Sequence, residues 1–304
     1  MALAFALLLH PAHAAKAPVA FDPPFGSYWH DGKAELDGYR YSVARYGRAR
    51  RGTAVLVYVT EPFSRSMLVK VDDAARNPKD TFDVLKLNLV RDFQTGIYDY
   101  NTMTSLFARS QDFEPVKLSF SSTEWCGNVY EELRIDPGRV SQKLSSYFED
   151  ESAAREERRP RGGILEEELF IRLRGLAGAY VAPGESRTVP MLLSAFRRRL
   201  THQPLRWTSA RIERMAAPQT ISVPAGRFKT AAYSVKIANG SEGLFHVEAA
   251  YPHRLVRWEW KQGEADDSGE LSGSARLQYW RLHGEGDERY LARLGLRPGV
   301  SMPR

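Results

Sequence analysis

Apolar residues in this chain recur at every second position, in short runs. Leu85, Leu87 and Leu89 alternate with Lys86 and Asn88; Val116, Leu118 and Phe120 repeat the pattern; Tyr39, Tyr41 and Val43 alternate with Arg40, Ser42 and Ala44. A period of two buries one face of a strand and leaves the other wet, which a helix cannot do. Turn formers punctuate the runs, as in "DDAARNPKD" at 72–80, Pro224-Ala225-Gly226 and Asn239-Gly240-Ser241. The fold is therefore read as mainly β with minor α, and antiparallel because the connections are short.

The reading along the chain follows. Tyr39 to Val43 and Thr53 to Val59 form a hairpin about 47–52, and Met67 to Val71 a short strand. Further strands are expected around 85–89, 98–104 and 116–120. The segment "EDESAAREERRPRGG" at 149–163 reads as a charged surface loop. A helix follows over 165–176: Leu165, Leu169, Leu173 and Leu176 recur at helical spacing, and Glu166, Glu167 and Glu168 sit in the first turn, where the macrodipole favours acids. Strands resume at 188–192, 205–212, 220–223, 229–237, 243–248, 255–260 and 272–280, a spacing that fits a barrel or a sandwich.

With 304 residues, 43% of them hydrophobic, the chain can bury a sizeable core. Its formal net charge of +6 comes mostly from arginine, dense at Arg45/Arg48/Arg50/Arg51, Arg155/Arg158/Arg159/Arg161 and Arg197-Arg198-Arg199. These groups are interspersed with Glu and accompany no nucleic-acid motif, so they read as solvated surface and nucleic acid is not an expected partner. Residues 2–9, "ALAFALLL", are too few to span a bilayer, which takes about 20. Followed by Ala12-His13-Ala14, they read as a secretory signal over 1–14.

The one cysteine, Cys126, can form no intramolecular disulfide. None of the seven histidines lies at the close helical spacing of a zinc motif, so no metal and no cofactor is expected. A nucleophilic Cys126 would need a base, and Glu124, two residues away on a strand, would raise the thiol pKa. The apolar face is even-numbered before "STEWCGNVY" (Val116, Leu118, Phe120) and odd-numbered after it (Trp125, Val129, Leu133, Ile135). A reset is required between 121 and 127: a bulge at Gly127 or 121–123, or a tight turn at "SST". Either places Cys126, Asn128, Tyr130, Glu132 and Arg134 opposite Trp125. Adjacent acids such as Glu131/Glu132 point to opposite faces, cannot act as a dyad, and read as surface.

The turns "VPAGRF" (223–228) and "YPHRLVRWEW" (251–260), with "AYVAPGESRTVPML" upstream and the acidic "LEEELFIRLRGL" before it, resemble an exported bacterial family known only as a domain of unknown function. The opening "YRYSVARYGRARRGTAVLVY" and "FARSQDFEPVKLSFSS" fit the same family, so the resemblance spans most of 30–283. It implies a periplasmic or secreted protein whose antiparallel sheet curves as a half-barrel around one or two helices, similar to lipoprotein carriers. A Maf septum-formation inhibitor, a cytosolic nucleotide pyrophosphatase, is disfavoured: its Ser-x-Ser-Pro-Arg-Arg loop does not occur, and the β pattern contradicts its α/β fold.

The expected organisation is a signal (1–14), a Pro-rich lead-in (15–26), an N-terminal β half (27–148), the charged loop (149–163), a helix plus C-terminal β half of the same domain (164–285) and a tail (286–304). The expected activity is binding of an apolar or amphipathic ligand, a lipid or lipoprotein, with peripheral membrane association and no catalysis. The alternative is an interaction module meeting anionic partners through arginine-rich loops, and more remotely a hydrolase. Candidate ligand contacts are Cys126, Tyr130, Trp258, Tyr98, Tyr100 and Arg91.

Overall fold

The structure, a computed structural model, describes residue 21 and residues 24–298. The signal-like segment and most of the lead-in lie outside the described residues. Eight strands run as an uninterrupted antiparallel meander: β1 (Ala34–Arg45), β2 (Arg48–Ser64), β3 (Thr81–Thr95), β4 (Tyr98–Arg109), β5 (Pro115–Glu124), β6 (Gly127–Asp136), β7 (Arg139–Ser146) and β8 (Ala153–Arg158). The second half supplies β9 (Ile164–Leu165), β10 (Ser186–Leu192), β11 (Trp207–Arg214), β12 (Gln219–Val223), β13 (Gly226–Ile237), β14 (Glu242–Glu248), β15 (Leu255–Lys261) and β16 (Asp267–Leu277).

β16 pairs with β1, from Val43 opposite Asp267 to Ala34 opposite Leu277, and so joins both halves in one curved, unclosed sheet. The edges of that sheet are β8 and β9, consecutive in the chain. Residues 159–163 alone connect them, so the gap there is at most roughly 20 Å by the reach of extended chain. Arg159 ties the connection down, donating to Gly163 O at 3.1 Å and Glu114 Oε2 at 3.2 Å.

Three short helices accompany the sheet: α1 (Phe25–Trp29), α2 (Leu169–Arg172) and α3 (Ala195–Thr201). α2 touches strands of both halves of the sequence: Tyr58 Oη of β2 donates to Phe170 O at 2.9 Å, while the Phe170 ring meets Phe245 of β14 and Trp258 of β15 edge to face. The predicted helix over 165–176 is thus shorter than its leucine spacing implied. A 3-10 turn over Glu166–Glu168 leads into the single turn of α2, and Gly175, at φ +67°, stops it. The expected strand at 67–71 is a turn closed by one bridge, Phe63 to Lys70, and the expected loop at 149–163 contains β8.

The register reset falls at neither bulge nor "SST". Trp125 and Cys126 form a two-residue turn, with Glu124 paired to Gly127, and Trp125 is exposed rather than inward. Outside the barrel, a 3-10 segment at Asp287–Leu294 covers β1 and β16, closing a small second core of Ala34, Leu36, Val57, Val59 and Leu294. Bare glycines permit this contact: a Cβ on Gly38 would stand 2.2 Å from Leu294 O, and one on Gly273 2.4 Å from Arg293 O.

Candidate ligand cleft

The sequence of α3, Ala-Phe-Arg-Arg-Arg-Leu-Thr, offers no separate apolar face, because three consecutive arginines at 100° steps cover more than half of its circumference. All three are buried, which corrects their reading as solvated surface. Each is held by an acid from a different element: the 3-10 turn before α2, β6 and β5. Arg197 reaches Glu166 Oε1 at 2.8 Å, Arg198 Nη2 reaches both Glu131 oxygens at 2.8 Å, and Arg199 pairs with Glu124 at the end of β5. Burying a guanidinium without such a partner costs several kcal/mol, so the helix sits where the acids converge.

Glu131 is likewise inward, not surface as expected. Its odd number places it on the face of Val129 and Leu133, and it also accepts from Gln142 Nε2 of β7 at 2.6 Å. The three acids before α2 turn inward as well: Glu166 accepts from Ser194 N at 3.0 Å, Glu167 from Ala195 N at 2.9 Å and Glu168 from Leu165 N at 2.7 Å. Glu166 and Glu167 thereby cap the start of α3, beside its own Ser194 cap, whose Oγ accepts from Arg197 N at 3.1 Å. Burial and the adjacent Glu166 carboxylate push Glu167 up to about 7.

Between α3 and the inner faces of β5, β6 and β7 lies a cleft of about 200 Å³. Phe120, Val129, Leu144 and Leu205 supply apolar wall; Gln142, Arg198 and the mouth residues Glu151, Arg155 and His202 supply polar groups. His202 Nδ1 pairs with Glu151, and Asp150 and Arg155, opposite in sign, also line the mouth. Burial would raise Glu151, but hydrogen bonds from Ser146 and His202 hold its carboxyl below the usual range. Gln142 Oε1 is buried and has no hydrogen-bond partner.

None of the six candidate residues is among those lining this cleft. Arg91 and Trp258 come together in the core around Asp267: Arg91 Nε is 3.7 Å from Asp267 Oδ2, Trp258 Nε1 donates to it at 3.4 Å, and Tyr41 Oη at 3.3 Å. Burial raises the pKa of Asp267. The Arg91 guanidinium also lies over the Phe196 ring, 4.3 Å from its centroid. Tyr98 and Tyr100 meet at the end of the barrel with Tyr46, whose hydroxyl is 3.2 Å from Tyr98 Oη and 3.0 Å from Tyr100 Oη. Cys126 is exposed in its turn, and Tyr130 is exposed on the outer face of β6.

The sequence carried one usable signal for the cleft. Strand parity marks Glu131 as an acid on an apolar face, and a buried acid requires a cation. The arginine run of α3 was the only uninterrupted source of three.

Among the described residues, no helix is long and apolar enough to cross a membrane. No protein-family model and no curated protein matches the sequence. Among solved structures, the chain is similar to a β-barrel-like protein of domain of unknown function DUF1849 from Brucella abortus. The two are 9% identical over 80% of this chain and 98% of that one, with a TM-score of 0.49. It is also similar to a protein from Bacteroides fragilis with a YmcC-like fold, whose name describes it as exported, at 13% identity over 79% and 95% of the two chains and a TM-score of 0.22.

Proposed function

We propose that this chain is an exported, non-catalytic binding protein, and that the cleft beside α3 takes one end of an amphipathic ligand, a lipid or a lipoprotein segment. The observation that carries this reading is the lining of the cleft: Phe120, Val129, Leu144 and Leu205 make an apolar wall beside the polar Gln142, Arg198 and His202, a mixture that suits an amphipathic end. Arg198, Arg199 and His202 are already paired with Glu131, Glu124 and Glu151, and the two further charges of the lining, Arg155 and Asp150, are opposite in sign. Such a lining favours an occupant that is neutral or zwitterionic at the bound end. At about 200 Å³ the space is smaller than the ~300–1,000 Å³ of pockets that enclose a whole drug-sized ligand, so the rest of the molecule lies outside. Export is supported by the apolar run at 2–9 and the small residues at 12–14.

Native mass spectrometry of the protein isolated from a bacterial envelope in mild detergent tests this. Wild type is expected to carry a bound mass, and Leu144→Trp, which fills the cleft from a half-buried strand position, to lose it while melting at the same temperature as delipidated wild type. Repeated recovery of ligand-free wild type, or equal occupancy in the variant, would refute the reading.

A further inference from the structure

The meander from β1 to β8 puts four hairpin turns at one end of the barrel: β1–β2, β3–β4, β5–β6 and β7–β8. Each presents a large apolar side chain to solvent. Tyr46 is 56% exposed, Ile97 79%, Trp125 69% and Tyr147 67%. Single exposed hydrophobes are ordinary on any surface, but one on each of four successive tips makes a patch. The patch is continuous: Tyr46 meets Tyr98 through their hydroxyls, the Tyr98 ring centroid lies 6.5 Å from that of Trp125, and the Tyr147 ring lies directly against Gly127. These side chains hold no core together, and none of the four belongs to the two hydrophobic clusters.

Charge is distributed unevenly along the same rim. The first tip and the strand ends beside it carry Arg45, Arg48, Arg50 and Arg51, against Asp99 at the second. Glu124 at the third is buried and paired with Arg199. The fourth tip is acidic, with Glu149, Asp150 and Glu151. Tyr and Trp, with apolar bodies and polar edges, suit the headgroup region of a bilayer, and arginines beside them suit anionic headgroups.

We propose that the rim formed by the first three tips docks on an anionic lipid surface, with Tyr46, Ile97 and Trp125 entering the headgroup layer and Arg48 and Arg51 meeting phosphates. The acidic fourth tip is repelled, so the barrel tilts and holds the cleft, whose mouth includes Asp150 and Glu151, clear of the lipid. This docking does not rest on the ligand reading, since the three tips and the cleft share no residue.

The native sequence provides the probe, because Cys126 is its only thiol and stands at the third tip. An environment-sensitive dye on Cys126 is expected to shift to the blue with vesicles of equal parts phosphatidylglycerol and phosphatidylethanolamine. Unlabelled protein should float with the same vesicles, and salt should weaken both effects. Trp125→Ser and Ile97→Ser, measured singly on different hairpins, should each weaken flotation about tenfold, the equivalent of losing one buried apolar side chain. No flotation of unlabelled wild type overturns the proposal, as does flotation that neither variant changes. Sedimentation showing instead a dimer that Trp125→Ser dissolves would assign the rim to a second copy and also overturn it.

Discussion

Three arginines in a row on a seven-residue helix are stable here because each meets a carboxylate from another element. The energetic weight lies in keeping the pairs matched. Arg198→Met should destabilise the protein by about 3–5 kcal/mol, because Glu131 is left charged and buried, whereas Arg198→Met with Glu131→Leu should recover most of that loss. Denaturant melts of the two variants check it; a double variant no better than the single one would mean the pair matters by shape rather than charge. Glu167 makes the opposite contribution. Its carboxyl, ordinarily near 4.5, titrates at about 7 in the fold, so between those values the folded state holds more protons than the unfolded. Stability therefore falls as pH rises through that window, by up to ~3 kcal/mol, and stays reduced above it. Glu167→Gln keeps an acceptor for Ala195 N and should flatten this slope, leaving the variant more stable than wild type at pH 8 and little different at pH 4; parallel pH profiles would contradict the assignment.

At the scale of elements, what was legible was whatever met water on one side. β3, β5 and β13 show their period because one face is wet. β8 shows none: as an edge strand, Ala-Ala-Arg-Glu-Glu-Arg is charged on both faces, which blunts pairing with other chains and makes it read as loop. α3 was illegible for the reverse reason, since it is enclosed on all sides by charge as well as hydrocarbon and has no amphipathic stripe. The helix over 165–176 was over-read because helical geometry ends at Leu173: Gly175 and Gly178 take positive φ, and Leu176 is buried beyond the helix end. The Trp125–Cys126 turn lacks the Asn-Gly chemistry that marks tight hairpins, so parity located it but could not name its residues. The outer 3-10 segment depends on Gly38, and Gly38→Val should detach it. Loss of about 1–3 kcal/mol and faster hydrogen exchange at the amides of Gly295 and Leu296 are expected; unchanged exchange would show that the segment accommodates the side chain.

At the scale of the molecule, the β1–β16 pairing makes two halves of the sequence into one curved sheet, whose edges β8 and β9 do not pair with each other. The curved, unclosed sheet was legible in strand count and short connections, but the exposure of Cys126, which sits in a turn where parity does not apply, and the cleft were not. The cleft is made by non-local contacts between α3 and walls tens of residues away, which no local pattern encodes. The candidate residues Trp258, Arg91 and Tyr100 instead went to the interior, where Tyr100 stacks on Phe93 and Trp258 packs over Gly269. The account stands or falls on the cleft being a binding site. An experimentally determined structure of the chain isolated from the envelope in mild detergent tests that most directly. The account predicts density for one end of a chain-like molecule in the cleft, against Val129 and Leu144. A cleft closed by α3 moving onto β6, or filled only by ordered water, would contradict it.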